Sequence, residues 1–577
     1  MKKKMHYVIL LGALFGVASC TASYDTVDFQ NVEKKIFLAD RYVNEKLSRD
    51  ECYAKTVTLK AHPNYEHLLY TDVAGYFDLL SCSFVDGVKM SVEKNDVIVK
   101  KDEKPIFIFS IDTYRQQFLM AGEISDAFRS EAPNYGTLED DTAFASVVIS
   151  RDPKKNYASY SYRYFNTELP TYVINGKYYA PIGLFDTIVG SSSNLYHFDN
   201  FIDIYQYSSK NALNAPIAEN NEKITDNIAR YNQENGMPME LRKLDKACLY
   251  FVMDNLYGLS YSRHIDSMHE YYDSLGFNNS LLDDDPTSRS YAYFDFFAVL
   301  NDDHSGLSSG ASWWGDDPST SHRGDISKER AELYYALKEQ RASALNLTDP
   351  DSVISDVYYS SSGETAYFYF DGFTFEANPY IDGTQTYRDD LWKTDSYYYF
   401  LHQFEAIENH GGVKNIIIDD SCNGGGVVGI AMKLLALLSE NDSGKIYFHS
   451  LDYSLYQSYE AIIDSNKDEE YDKDDVYGDD YNFYILTSPR SFSCGNLFPF
   501  MAKEHGYAKI IGQKSGGGEC TVVQNFLPSG RQMAHSSTTR LVTYRNEEFY
   551  GLESGAEVDI KIPYYEFYNI DYLESLF

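Results

Sequence analysis

The sequence predicts an α/β fold for the C-terminal part of this 577-residue chain, preceded by a helical subdomain and an N-terminal α+β accessory domain. Three observations carry that reading. Apolar runs such as "VKNIIIDD" (413–420) and "YNFYILT" (481–487) are of the kind buried on both faces of a parallel sheet. Stretches of helical period stand between them. From residue 365 onward strand and helix alternate, which builds βα units. The length allows two or three domains, and the boundaries expected are 1–20 for a leader, 21–45 for a tether, 46–235, 236–345 and 346–577.

The elements follow in order. "MKKKMHYVILLGALFGVASC" has a basic start, an apolar stretch and small residues before Cys20, the pattern of an export signal too short to span a membrane as an ordinary helix. "VASC" resembles the bacterial lipobox, which would place lipid on Cys20; a plain signal peptide that happens to contain a cysteine is the alternative. Residues 21–45 read as a tether with a short helix. "DVIVKKDEKPIFIFSI" (96–111) and "AFASVVISR" (143–151) read as strands, and "PTYVINGKYYAPIGLFDTIVG" (170–190) as a hairpin across Asn-Gly followed by a helix. Helical spacing marks 241–258 and 290–300. "GDISKERAELYYALKEQRASAL" (324–345) is a further helix, with Asp325 and Ser327 near its start as caps. "TAYFYF" (365–370), 396–412, 413–420, 427–440, 481–487, 496–506 and 508–512 then alternate as strand and helix.

Composition excludes several function classes. A formal charge of −36 repels nucleic acid. No CxxC occurs, so thiolate zinc is disfavoured, and "HEYYD" at His269 lacks the second histidine of a zincin helix. No metal site is expected. The acid-rich stretch 464–480 lacks the sixth-position glycine of an EF-hand loop and reads as a solvated loop. An exported chain can form disulfides, and Cys52 with Cys82 is the pair expected.

Three stretches could carry chemistry. In "LTSPRSFSCGN" a strand runs into a turn and a helix, so Ser493 is either a nucleophile or a helix cap. The Cys494 amide would face an oxyanion there. "IIIDDSCNGGGVVG" (416–429) ends a buried strand in glycines that let the backbone approach a ligand, or that merely connect strand to helix; it is neither a P-loop nor a well-formed Rossmann fingerprint. "LNDDHSG" (300–306) puts His304 in a polar turn after an apolar helix, where a lone histidine is often structural.

Together these segments resemble the C-terminal processing (tail-specific) peptidases. "IIIDDSCNGGG" is similar to that family's strand and Asn-x-Gly-Gly loop, "LTSPRSFSCGN" to its nucleophile segment, and "YAKIIGQKSGGGE" (507–519) to the glycine-rich strand and loop that follow. The resemblance covers roughly 240–565 and implies a crotonase/ClpP-like protease domain. The loop lysine of the Lys-dyad branch is Gly518 here, and Lys509 and Lys514 do not fit the motif. The tricorn-core-like branch instead takes a histidine from an upstream segment, which implies His304 as base. It places a carboxylate late in the chain, which implies Glu553, with Asp559 second. Departures are Ser421, Asn496 and Asp303, where the family has Arg, Glu and Ser.

The resemblance implies acyl transfer to Ser493, with His304 as base, Glu553 orienting it, Asp303 or Ser305 assisting, and the amides of Gly425 and Cys494 as oxyanion hole. The expected protein is an exported, lipid-anchored serine endopeptidase of the cell envelope. It would act on polypeptides, touch the membrane only through lipid on Cys20, and need no cofactor. The rival is a catalytically inactive surface-binding lipoprotein with the same fold.

Overall fold

The computed structural model describes residues 27–36, 55–122, 145–151, 157–192, 236–309, 325–376 and 388–577, apart from 82–83, 85, 164, 441–442, 451–455, 469, 471 and 546–547, with 127, 234 and 380–381 as isolated additions. Cys20, Cys52 and Cys82 lie outside the described residues.

The C-terminal core is α/β. Its sheet runs in the order Tyr358–Tyr359, Thr365–Tyr369, Asn415–Asp419, Asn482–Thr487, Ala508–Gly512 and Ile560–Lys561. All neighbours from Thr365 onward pair in parallel, and only the first pair is antiparallel. Both faces of the central strands are buried, because side chains alternate between two apolar layers. Ile416 and Ile418 pack with Phe400 of helix Ser396–His410, Leu434 of Val428–Leu437 and Leu497 of Cys494–His505. Ile417 faces the other way, toward Leu337 of helix Asp325–Leu345 and Leu573 near the C-terminus. Asp395 caps the first of these helices through the Tyr397 and Tyr398 amides, and Gly411, at φ 71°, ends it.

The N-terminal part holds two five-stranded sheets. The hairpin Tyr172–Ile174 / Lys177–Pro181 turns on Asn175 and Gly176, both at positive φ (52° and 77°), as an Asn-Gly turn requires. The region expected to be a tether contains a strand, Gln30–Ile36, paired antiparallel with Lys55–His62. Val27 and Phe29 anchor it against the core; the rest of the expected tether, 21–26 and 37–45, lies outside the described residues.

The first apolar core runs from Leu59 through helix Met239–Leu256 to Leu300 and also takes in Cys520, Leu527 and Met533. The boundary expected at 235/236 therefore falls beside a helix, Met239–Leu256, that is packed into this continuous core. Strand Ala145–Arg151 pairs with Tyr456–Ile463 in a seven-stranded sheet that also contains Gly306–Ser309 and Gln532–Arg545. The early and late parts of the chain are thus stitched together by backbone hydrogen bonds. No helix among the described residues is long and apolar enough to cross a membrane.

Candidate active site

Three loops leave the carboxyl ends of three adjacent parallel strands: 420–426 after Asp419, 488–493 after Thr487, and 513–519 after Gly512. Loops at this edge of a parallel sheet converge. Hydroxyls tie the second loop to the first: Ser488 Oγ donates to the Ser421 carbonyl at 2.6 Å and Ser491 Oγ to the Asp420 carbonyl at 2.7 Å. The Phe492 amide donates to the Asn423 carbonyl at 3.1 Å.

Ser493 is held at φ 59°, ψ −121°. A non-glycine residue in such a conformation costs on the order of 1–3 kcal/mol and persists only where its surroundings enforce it. Here the Ser493 amide donates to the Gly517 carbonyl at 2.9 Å, while the Ser493 carbonyl accepts from Asn496 and Leu497. Although Ser493 occupies the N-cap position of helix Cys494–His505, its hydroxyl makes no capping bond. The capping role is therefore unused, and the half-buried Oγ is left available.

The glycine loop lies directly against this turn. A Cβ on Gly425 would sit 2.7 Å from Ser493 Cβ and 3.0 Å from the Cys494 nitrogen, and Gly425 has φ +106°, so only glycine fits. The Cys494 amide opens the helix and has no acceptor among the described residues. The Gly425 amide, in contrast, donates to Asn423 Oδ1 at 2.8 Å. It is satisfied inside its own loop rather than open to an oxyanion, which corrects the expectation for that donor. The Cys494 thiol donates to the Gly426 carbonyl at 3.1 Å. Burial pushes that thiol up to about 12, so it does not compete as a nucleophile.

His304 follows helix Pro286–Ala298 and reaches the nucleophile turn from the other core. Its ring centroid lies 4.7 Å from that of Phe492, the residue before Ser493. Both ring nitrogens are buried without a hydrogen-bond partner among the described residues, and no bond to Ser493 Oγ is formed in this state. Burial holds the imidazole below its ordinary value of 6.5; Asp302 and Asp303 oppose that shift and Arg330 reinforces it. A neutral imidazole is the form that accepts a proton.

The groups around His304 differ from those expected. Glu553 does not reach the ring; its Oε2 accepts the amides of Gly518 (3.2 Å) and Glu519 (3.0 Å). It thereby fixes the loop whose Gly517 carbonyl receives the Ser493 amide, and burial raises its own carboxyl. Asp559 is further removed, accepting from the Ile510 amide at 2.8 Å and pairing with Lys503 at 2.7 Å. Asp302 carries the local anchoring instead, accepting the His304 amide at 3.1 Å and the Ser305 hydroxyl at 2.6 Å. Ser305 Oγ in turn accepts the Ser536 amide at 3.2 Å. Asp303 binds Ser327 and Arg330, not the imidazole. Burial opposes its charge, but those two bonds outweigh it and hold the carboxyl below its usual range.

Arg330 is the connecting group that sequence reading missed. It donates to Asp303 Oδ2 at 2.6 Å and to the Gly516 carbonyl at 2.6 Å, and its guanidinium lies 4.6 Å from the Phe492 ring centre. One side chain thus links the histidine turn, the glycine-rich loop and the nucleophile turn. Nothing local in "ISKERAELYY" signals this. No lysine occupies the position of a dyad base: a Cβ on Gly518 would lie 2.9 Å from the Ser493 nitrogen and 2.7 Å from the Phe492 ring. Lys514 pairs with Glu557 at 2.5 Å on the surface. Among the described residues no group of three or more His, Cys, Asp or Glu is arranged to hold a metal ion.

Residues 387–562 match Peptidase family S41. Similar solved structures include a putative peptidase from Parabacteroides merdae ATCC 43184, at 15% identity, covering 56% of this chain and 89% of that one with a TM-score of 0.38. Mature CPAF complexed with lactacystin is similar at 13% identity, 60% and 97% coverage and a TM-score of 0.34. A lipoprotein from Streptococcus agalactiae is similar at 13% identity, 59% and 98% coverage and a TM-score of 0.33. No curated protein matches the chain.

Proposed function

With residues 387–562 as a Peptidase family S41 region, we propose that this protein is a serine endopeptidase that cleaves polypeptides through an acyl-enzyme. The observation that carries the proposal is Ser493: a strained serine at a strand-to-helix turn, with an uncommitted hydroxyl beside an uncommitted helix-start amide. Ser493 Oγ attacks the peptide carbonyl carbon, and His304 takes the hydroxyl proton. As the tetrahedral intermediate collapses, the C–N bond breaks and His304 returns the proton to the leaving amine. Water then repeats the sequence on the acyl-enzyme. The Cys494 amide stabilises the oxyanion, a contribution of about 3 kcal/mol for one well-placed donor. A contribution from Gly425 requires release of its bond to Asn423. Closing the Ser493–His304 hydrogen bond is the change that substrate has to induce, since catalytic hydrogen bonds often tighten only in the substrate complex.

Export and lipid attachment at Cys20 belong to the same proposal and rest on the leader sequence; detection of a lipid-modified Cys20 in the mature N-terminal peptide by mass spectrometry tests them. The rival reading, a non-catalytic binding protein, draws on the unbonded His304 nitrogens and the occupied Gly425 amide. A fluorophosphonate probe separates the two. Labelling of the wild type that disappears in Ser493→Ala and falls strongly in His304→Ala supports the peptidase, whereas a folded wild-type protein that never labels and cleaves no peptide supports the binder.

A further inference from the structure

Beside the nucleophile turn lies a cavity of about 490 Å³, walled by Phe294, Phe297, Tyr334 and Arg490 among others. Arg490 precedes Ser493 by three residues in the same turn, where Ser488 Oγ fixes its amide at 2.9 Å. Its guanidinium lies 5.3 Å from the Tyr334 ring centre. Nη2 occupies the space before Gly424, 2.8 Å from where a Cβ would stand.

What distinguishes this arginine is the lack of a polar partner among the described residues. Its Nε is buried without an acceptor, and among the described residues its guanidinium forms no ion pair or hydrogen bond. The chain carries 86 acidic and 50 basic residues, so carboxylates are not scarce. The neighbouring arginines are committed, Arg330 to Asp303 and Gly516, Arg341 to Asp371 and Asp419. Asp302 and Asp303 also line the cavity, but Asp302 is engaged by Ser305 and the His304 amide, and Asp303 by Ser327 and Arg330. Asp303 gains some stabilisation from the Arg490 charge without pairing with it. A partly buried cation left unpaired next to a reactive serine is a place for an anion brought by the ligand.

The geometry points to Arg490 as the specificity determinant of a subsite for an acidic side chain, Glu or Asp, of the bound polypeptide. The guanidinium packs against Gly424 and the next residue, Gly425, adjoins Ser493, so one glycine loop touches both the cation and the nucleophile. The assignment rests on the peptidase reading of the same site. For a partly exposed guanidinium, exchanging a carboxylate for its amide in the ligand should weaken binding about tenfold, the lower end of what a hydrogen bond to a charged group contributes.

The test uses the full-length Ser493→Ala protein and fluorescein-labelled ten-residue peptides, acetylated and amidated so that no terminal charge remains. A single Glu is walked through an uncharged sequence, with Gln counterparts, and Kd is read by fluorescence anisotropy. Tighter binding of Glu than Gln in one or two registers is expected, abolished by Arg490→Gln, retained in Arg490→Lys and turned toward Lys-containing peptides by Arg490→Glu. Equal affinities in every register, a Glu preference that survives Arg490→Gln, or no binding by any peptide overturns the subsite. Hydrolysis of the same peptides by the wild type is scored separately. Cleavage without Glu preference removes the subsite but leaves the peptidase, while Glu preference without cleavage does the reverse.

Discussion

Replacing Arg330 by Met keeps an apolar stem against Phe492 but deletes the charge and both hydrogen bonds that join the histidine turn to the glycine-rich loop. Those bonds, to Asp303 and the Gly516 carbonyl, are both 2.6 Å. The Arg330 and Asp303 side chains are only 16% and 14% exposed, so water screens the pair incompletely. A hydrogen bond to a charged group is worth about 1.5–3 kcal/mol. Discounted for partial exposure, the loss of positioning is about 2 kcal/mol, or roughly 30-fold in rate. The second effect has a different signature. Arg330 helps to hold the His304 imidazole in its neutral form, so deleting its charge moves the acid limb of activity to higher pH. The assay is the second-order rate of Ser493 modification by a fluorophosphonate from pH 4.5 to 8.5, with thermal unfolding followed in parallel. Arg330→Lys should restore the position of the limb but only part of the rate, because an ammonium lacks the guanidinium fork. A folded Arg330→Met protein with a rate within threefold of wild type and an unmoved limb would refute the reasoning.

In the wild type the acid limb should lie below 6.5, since burial favours the neutral imidazole; a limb above 6.5 in a pH–rate profile counts against His304 as the base. Asp420 is wholly buried; burial, with Asp419 beside it, raises its carboxyl well above 3.8 against the opposing effect of Ser491 and Asn423. Its contribution to stability is therefore fully present below 3.8, the unfolded value, and is lost as pH rises through the folded value. Asp420→Asn should lack that slope and gain on wild type between pH 5 and pH 8 in urea unfolding, and parallel curves would exclude the effect. Gly425→Ala forces a Cβ to 2.7 Å from Ser493 Cβ at φ +106°, so labelling should fall by about two orders of magnitude, a strain of a few kcal/mol at the turn, while far-UV circular dichroism stays the same. Unimpaired labelling would show that the loop yields.

How much was legible in the sequence follows from how local each signal is. The parallel sheet could be read because each strand carries its own evidence: "TAYFY", "NIIID" and "NFYILT" are apolar on both faces, and both faces prove to be covered. The hairpin at Asn175-Gly176 could be read because its turn is chemically specified by two adjacent residues. Strand pairing across the chain could not. Ala145–Arg151 looks like a strand in isolation, but its partner, Tyr456–Ile463, is some 300 residues away. The boundary expected at 235/236 falls beside Met239–Leu256. That helix reads as the start of a separate helical unit, yet its buried face completes a core begun by the N-terminal sheets.

At the site, the nucleophile turn was legible as strand, turn and helix, while the side chains that cross between elements were not. Asp302 stands in "NDDH" beside Asp303, and nothing local marks it as the residue that anchors the histidine turn; the resemblance points to the late carboxylate Glu553. That glutamate instead braces loop amides. The departures at Ser421 and Asn496 appear in the sequence as bare losses, a missing cation and a missing carboxylate. In three dimensions neither leaves a gap. The Asp419 carboxylate receives the Tyr367 hydroxyl at 2.6 Å and faces Arg341 at 3.5 Å. Asn496 donates to the Leu552 carbonyl at 3.0 Å and accepts from Ser515 Oγ at 2.7 Å, tying the glycine-rich loop to the segment that bears Glu553. A charge supplied from a helix 78 residues upstream cannot be found by matching positions along one motif. The altered residues thus carry less weight for an inactive binder than their sequence positions suggest, because Ser421, Asn496 and Asp303 are each hydrogen-bonded into the loops around Ser493.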